Sequence, residues 1–238
     1  MGTVIGKDIL DQYLTLIGEG PNGLEKWEKN LKASIGMAEG RSCVVLNANP
    51  FTIGQRYLVQ LACSRSTEVL VFVVQGRPEA GAKGNHENTG IEFSFNDRIK
   101  MVKDDLSDIP NVTVLPSGPY LISRSDFPKG FLSQDLGSAP AHAVLDSMVL
   151  CHICRSLGIR TIYAGDEPRD ELSEIHLNAL RQECRNGNII LKVAERKRIG
   201  ERYITSALAR QAIADKNLDE LKATVGDSTL SYLKELCF

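Results

Sequence analysis

No apolar run in this chain reaches the roughly 18–20 residues that a membrane-spanning helix needs. The opening segment, MGTVIGKDILDQYLTLIG, is interrupted by Lys7, Asp8, Asp11 and Gln12. These break the apolar stretch of a secretory leader, so a cytoplasmic protein that engages no membrane is expected. Gly6 stands where a myristoylation pattern needs Ser or Thr. An excess of one charge is missing too. With 28 Lys and Arg against 30 Asp and Glu, the net charge of −2 argues against a general binder of nucleic acid or anionic surfaces. The six cysteines are scattered from Cys43 to Cys237, unlike a disulfide framework, so free and mostly buried thiols are expected. Cys151 and Cys154 share one face of a helical pattern. With no second CxxC, and only His176 and Cys184 as further candidates, no metal centre is expected. Neither GxGxxG nor GxxxxGKS/T occurs, so neither a dinucleotide fingerprint nor a P-loop applies.

What is present is an alternation of apolar strands and amphipathic helices along 238 residues, long enough for a sizeable core. Residues 8–17 and 24–34 read as helices separated by a turn at Pro21-Asn22-Gly23. Strands are expected over 43–48, 68–74, 111–117, 160–165 and 188–194. Helices are expected over 52–63, 94–109, 143–158, 167–184 and 204–214, with two short ones at 217–225 and 228–236. Ser94, with Asp97 three residues on, reads as a capping box. Residues 75–93 and 118–140 read as long connections. Asp104, Asp105 and Asp108 read as a solvated helix face. Five buried strands alternating with helices predict a five-stranded parallel sheet with helices on both faces. The expected organisation is a helical extension over 1–40 followed by an α/β domain over 41–238.

In such a sheet, ligands sit beyond the carboxyl ends of the strands. The turn after the first strand, Asn47-Ala48-Asn49-Pro50-Phe51-Thr52-Ile53-Gly54, is therefore the first place to look. A helix N-terminus there offers free N–H groups and a positive dipole end for phosphate. Gly54 lets a bulky ligand approach the backbone. Thr52, Asn47 and Asn49 add donors.

NANPFTIGQRYLV (47–59) resembles the HxGH-type signature of nucleotidyltransferases in the variant found in citrate lyase ligase. The likeness continues, in order, through FNDRIKMVKDDLSDIPNVTVLPSGPYLISRSDFP (95–128), AGDEP (164–168), and ERKR followed by ITSALAR. It takes in roughly residues 24–238. Members of that family carry a further N-terminal acetyltransferase-like domain, which this chain is expected to lack. The resemblance implies a Rossmann-like nucleotidyltransferase fold and an ATP-dependent ligase. A small carboxylic acid, acetate in the family, attacks the α-phosphorus of ATP with Mg²⁺ on the phosphates. The acyl-adenylate then passes its acyl group to a thiol on an acyl-carrier protein.

The resemblance also implies the site. Thr52 matches the first position of HxGH, and Gly54 its glycine. Gln55 stands in place of the second histidine. Asn47, Asn49, Pro50 and Phe51 belong to the same nucleotide-binding turn. Gly165, Glu167 and Pro168 match a G-x-E-P turn after the fourth strand. Arg98, Tyr120, Ser123, Arg124 and Phe127 match the helix and loop that wall the acyl substrate. Arg196, Lys197 and Arg198 match a basic turn near the phosphates. Thr205, Ser206 and Arg210 match the final I-S-x-S-x-V-R motif, whose second serine is Ala207 here. The catalytic group is then Gln55, Lys197, Arg198 and Thr205. Gln55 can donate a hydrogen bond but stays neutral, unlike a protonated histidine. Three readings follow: an active ligase with charge supplied from elsewhere, a nucleotidyltransferase acting on another nucleophile, or a nucleotide-binding module with little catalysis.

Overall fold

The computed structural model describes residues 7–36, 38–75, 90–121, 138–166 and 171–238. Two helices, α1 (Lys7–Ile17) and α2 (Gly20–Ile35), precede an alternation of β1 (Arg41–Leu46), α3 (Ile53–Cys63), β2 (Glu68–Val73), α4 (Phe95–Asp105), β3 (Val112–Pro116), α5 (Ser138–Ser156), β4 (Thr161–Gly165), α6 (Glu171–Asn186) and β5 (Ile190–Ala194). A small hairpin, β6 (Arg198–Ile199) and β7 (Arg202–Tyr203), leads into α7 (Ser206–Ala214), α8 (Leu218–Thr224) and α9 (Asp227–Cys237). The expected Gly-rich connection over 75–93 falls largely outside the described residues. No described helix is long and apolar enough to cross a membrane.

The five long strands form one parallel sheet, as the alternation predicts, and their order in it is β3-β2-β1-β4-β5. Side chains alternate across it. Val44, Leu46, Val69, Val71 and Val73 face a core shared with α3, α4 and α7–α9. Cys43, Leu70, Phe72 and Ile162 face the other core, shared with α1, α2, α5 and α6. Helices therefore cover both faces, and each fully buried large side chain contributes about 1.5–3 kcal/mol.

Three local readings change. Pro21-Asn22-Gly23 is the first turn of α2 rather than a break, because proline at the start of a helix supplies a fitting φ and forfeits no internal hydrogen bond. Strand β1 begins at Arg41, two residues before its apolar run. The Arg41 guanidinium is buried yet satisfied: Nε and Nη2 reach Glu68 at 2.8 and 2.6 Å, and Nη1 and Nη2 donate to the carbonyls of Ile35, Gly36 and Leu157. Asp105 also leaves the solvated face. It is buried, and its Oδ2 accepts from the Thr229 hydroxyl at 2.6 Å at the start of α9, where a carboxylate suits the positive end of the helix dipole.

Candidate functional site

From β1 the chain moves to β2 and β3 on one side, then crosses to β4 on the other side of β1. The connections that leave β1, through α3 to β2, and β4, through α6 to β5, thus diverge, leaving a crevice beyond the carboxyl ends of these neighbouring strands. A cleft of about 660 Å³ occupies that place. Asn47 after β1, Gly165 ending β4, and Ala194 ending β5 form its floor.

Two helices point their N-termini into it. At α3, Thr52 is the N-cap: its Oγ1 accepts the Gln55 N–H at 3.3 Å, and Gln55 Oε1 accepts the Thr52 N–H at 3.1 Å. This capping box uses the carbonyl end of the Gln55 side chain and leaves its NH₂ end as a donor. At α7, Thr205 caps through the Leu208 N–H at 3.0 Å. The N–H groups of Ile53 and Gly54, and of Ser206 and Ala207, lie in the first turns, where helical partners are absent. The two ends are tied together, since the Ser206 hydroxyl donates to the Pro50 carbonyl at 2.9 Å. Arg210 Nη1 donates to the Asn49 carbonyl at 2.6 Å. A Cβ on Gly54 would meet Ile204 only at ordinary contact distance, 3.5 Å. Protein packing does not demand glycine there, and its missing side chain leaves space in the cleft.

Asn47, Thr52, Gly54, Gln55, Gly165, Thr205, Ser206 and Arg210 all line this one cleft, although they come from three separate stretches of sequence. Asn49, Pro50 and Phe51 lie behind it and shape the turn: Asn49 Oδ1 accepts the Phe93 N–H at 3.0 Å, and Phe51 is fully buried. Arg98 is a buried staple. Its Nη1 donates to the Asn47 and Val74 carbonyls at 2.7 Å each and to Asn47 Oδ1 at 3.0 Å, orienting the Asn47 amide so that its nitrogen remains a donor. Of the basic turn, Arg196 lines the cleft. Lys197 Nζ sits 4.5 Å from the Tyr57 ring centre at the margin, and Arg198 stacks on Tyr203 outside it. Glu195 is the one carboxylate among the described lining residues. Two guanidiniums and two helix N-termini against one carboxylate suit a polyanion.

Tyr120 lies elsewhere, packed between Trp27, Gly18 and Gly23 of the N-terminal helices and lining a neighbouring pocket. Ser123, Arg124, Phe127, Glu167 and Pro168 lie outside the described residues. The cysteines of the CxxC part company: Cys151 Sγ is 3.9 Å from Cys184 Sγ, and Cys154 Sγ is 3.7 Å from Cys43 Sγ. Burial pushes the Cys154 thiol well above its ordinary range. Sequence reasoning missed Asp146, which lines the pocket beside Tyr120. Its signal was a lone acid within the apolar helical stretch AVLDSMVL.

This sheet order and cleft define an α/β nucleotidyltransferase-like domain. The chain belongs to the citrate lyase ligase C-terminal domain family, which it matches over residues 41–233. It is 27% identical over 198 residues to the citrate (pro-3S)-lyase ligase of Haemophilus influenzae, covering 81% of this chain and 56% of that protein. It is 29% identical over 198 residues to the corresponding ligase of Klebsiella pneumoniae, covering 81% and 54%. The chain thus spans little more than half the length of these relatives. Among solved structures, the bifunctional NMN adenylyltransferase/ADP ribose pyrophosphatase of Francisella tularensis shares the fold, with a TM-score of 0.51 and 12% identity over 83% of this chain and 50% of that one. TmcAL of Thermotoga maritima, bound with alpha-thio ATP, does so with a TM-score of 0.50 and 12% identity over 83% and 56%.

Proposed function

We propose that this chain is an ATP-dependent, AMP-forming ligase domain that activates a small carboxylic acid as an acyl-adenylate and passes the acyl group to a carrier-protein thiol. The carrying observation is the pair of capped helix N-termini, α3 and α7, facing one cleft with Arg196 and Arg210. Membership of a family whose curated relatives are named ligases adds to it. A carboxylate oxygen bonds to the α-phosphorus, the bond from that phosphorus to the bridging oxygen breaks, and pyrophosphate leaves. The thiol sulfur then bonds to the acyl carbon, AMP leaves, and the thiol proton goes to solvent. In this chain the first-turn N–H groups, the Gln55 NH₂ and the arginines hold the phosphates and balance the developing charge. A Mg²⁺ brought in with the phosphates would find Glu195, the one carboxylate among the described lining residues, as its protein ligand. That ion would offset phosphate charge.

A second reading is favoured by one feature. The Gln55 carbonyl is committed to the cap and its amide is neutral, which fits a nucleotide-binding module with weak catalysis. Pyrophosphate release from ATP and Mg²⁺ with a panel of carboxylates, acetate included, decides between them. Acid-dependent release, with a hydroxamate formed when hydroxylamine is added, is the expected result. Gln55→His should then raise the rate, since a charged donor at this position contributes on the order of 2–4 kcal/mol. ATP binding by calorimetry without release under any acid would leave the binding module.

A further inference from the structure

The nucleotide cleft has a neighbour, a pocket of about 290 Å³. Val45, Leu150, Ala164, Gly165 and Leu180 line both, so the two share a wall at the carboxyl ends of β1 and β4. Leu121 and Leu177 add to the apolar lining. The polar groups of α5 and α6, namely Asp146, Ser147, Ser173 and His176, come one to two helical turns before Leu150 and Leu180 of that wall, and Tyr120 adds a hydroxyl. No Lys or Arg is among the described lining residues.

This lining orients a ligand. Asp146 Oδ1 accepts from the Tyr13 hydroxyl at 2.5 Å, which leaves Oδ2 for the pocket. The Ser147 hydroxyl spends its proton on the Ala143 carbonyl at 2.7 Å, so its oxygen presents lone pairs. With Asp146 ionised, the α5 end of the pocket is therefore rich in acceptors and favours a group that donates. In that state a carboxylate beside Asp146 would meet like charge, and no Lys or Arg stands among the described lining residues to offset that charge. At the shared wall it would meet the cleft with its arginines and helix ends. An apolar chain spans the interval, and the pocket is far larger than a two-carbon acid would fill.

We propose that this pocket is the acid subsite of the domain, selecting a carboxylic acid that carries a hydrogen-bond donor, hydroxyl or ammonium, at the end of an apolar chain remote from its carboxylate. The proposal rests on the adenylation reading for the direction in which the carboxylate points. Burial pushes the Asp146 carboxyl up to about 7. A ligand ammonium would hold it ionised, whereas a hydroxyl can meet it in either state. Tyr13, on α1, is then a positioning residue supplied from outside the matched family segment.

Calorimetric titration of the full chain, with a non-hydrolysable ATP analogue present, tests this. The probes are acids of equal chain length ending in methyl, hydroxyl or ammonium. Either donor-ended acid should bind at least about tenfold more tightly than the methyl-ended one, the difference left by an unpaired buried acceptor. Asp146→Leu should erase that preference, and Leu177→Trp should block all three acids. Asp146→Asn keeps the Tyr13 bond but turns the free end into a donor, so it should lose an ammonium acid and keep a hydroxy acid. Analogue binding by each variant reports that it is folded. Equal binding of the three acids, binding of none, or a preference that survives Asp146→Leu overturns the proposal. The expected preference without pyrophosphate release would uphold the pocket and remove adenylation. Acetate-driven release undiminished in Leu177→Trp would do the reverse.

Discussion

Gln55 serves two neighbours with its two ends: the carbonyl closes the cap on Thr52 and the NH₂ group is left for the cleft. A protonated histidine could not do both, because an imidazolium has no lone pair to accept the Thr52 N–H. At position 55, cap and positive charge exclude each other, and losing the cap bond would cost about 1 kcal/mol of helix stability. Asp146 shows the opposite economy. Burial raises its carboxyl to about 7, offset only in part by the Tyr13 phenol. The folded chain therefore holds a proton that an unfolded aspartic acid releases near pH 3.9. The associated stability is complete below about pH 4 and is lost as pH rises through about 7. Asp146→Asn should flatten that slope. Urea titrations at pH 4.5 and 8 should show the natural chain losing on the order of 2 kcal/mol relative to the variant, less than the full shift implies because the pocket admits water. An unchanged difference would place the titrating group elsewhere. The types of Thr52, Gly54 and Gln55 were legible in the sequence, but their directions were not. Asn49 has the same chemistry as Asn47 and turns towards Phe93.

Among the elements, the strands and their parallel pairing were legible because a doubly covered parallel sheet writes itself as continuous apolar runs, whereas their order in the sheet was not. Nor were their polar beginnings. Arg41 and Glu68 open β1 and β2 in direct register, 27 residues apart in sequence, and only the pairing makes a buried guanidinium acceptable. That guanidinium also binds carbonyls at the ends of α2 and α5, so one side chain gathers two strands and two helices below the sheet. Arg41→Met keeps much of the bulk and abandons Glu68. The expected loss is about 3 kcal/mol, the cost of leaving one member of a buried pair. A guanidinium chloride midpoint equal to that of the natural chain would show that water replaces the arginine without penalty. Pro21 misled for a related reason: proline breaks a helix interior but fits a first turn, and the sequence alone does not say which position it holds.

For the whole molecule, the family match begins where β1 begins, yet the core does not. Tyr13, Leu14, Ile17 and Leu24 are buried in the same cluster as Leu70, Phe72 and Ile162. At about 1.5–3 kcal/mol each, these four side chains contribute a sum comparable to the 5–15 kcal/mol that holds a typical domain folded. A chain cut back to residues 41–238 is expected to lose cooperative unfolding, seen as a broad, shallow thermal transition by circular dichroism. A sharp transition near the full-length midpoint would show that the helices are an appendage.

The hydrogen bond between Tyr13 and Asp146 joins residues 133 apart. On a ribosome adding about 5–20 residues per second, Tyr13 is made on the order of ten seconds before its partner exists. Through that interval the part of the apolar face of α1 and α2 that packs against α5 has nothing yet to cover it. Helices α1 and α2 are therefore among the last of the described elements to find their place, and a chaperone that meets the nascent protein would find a foothold there.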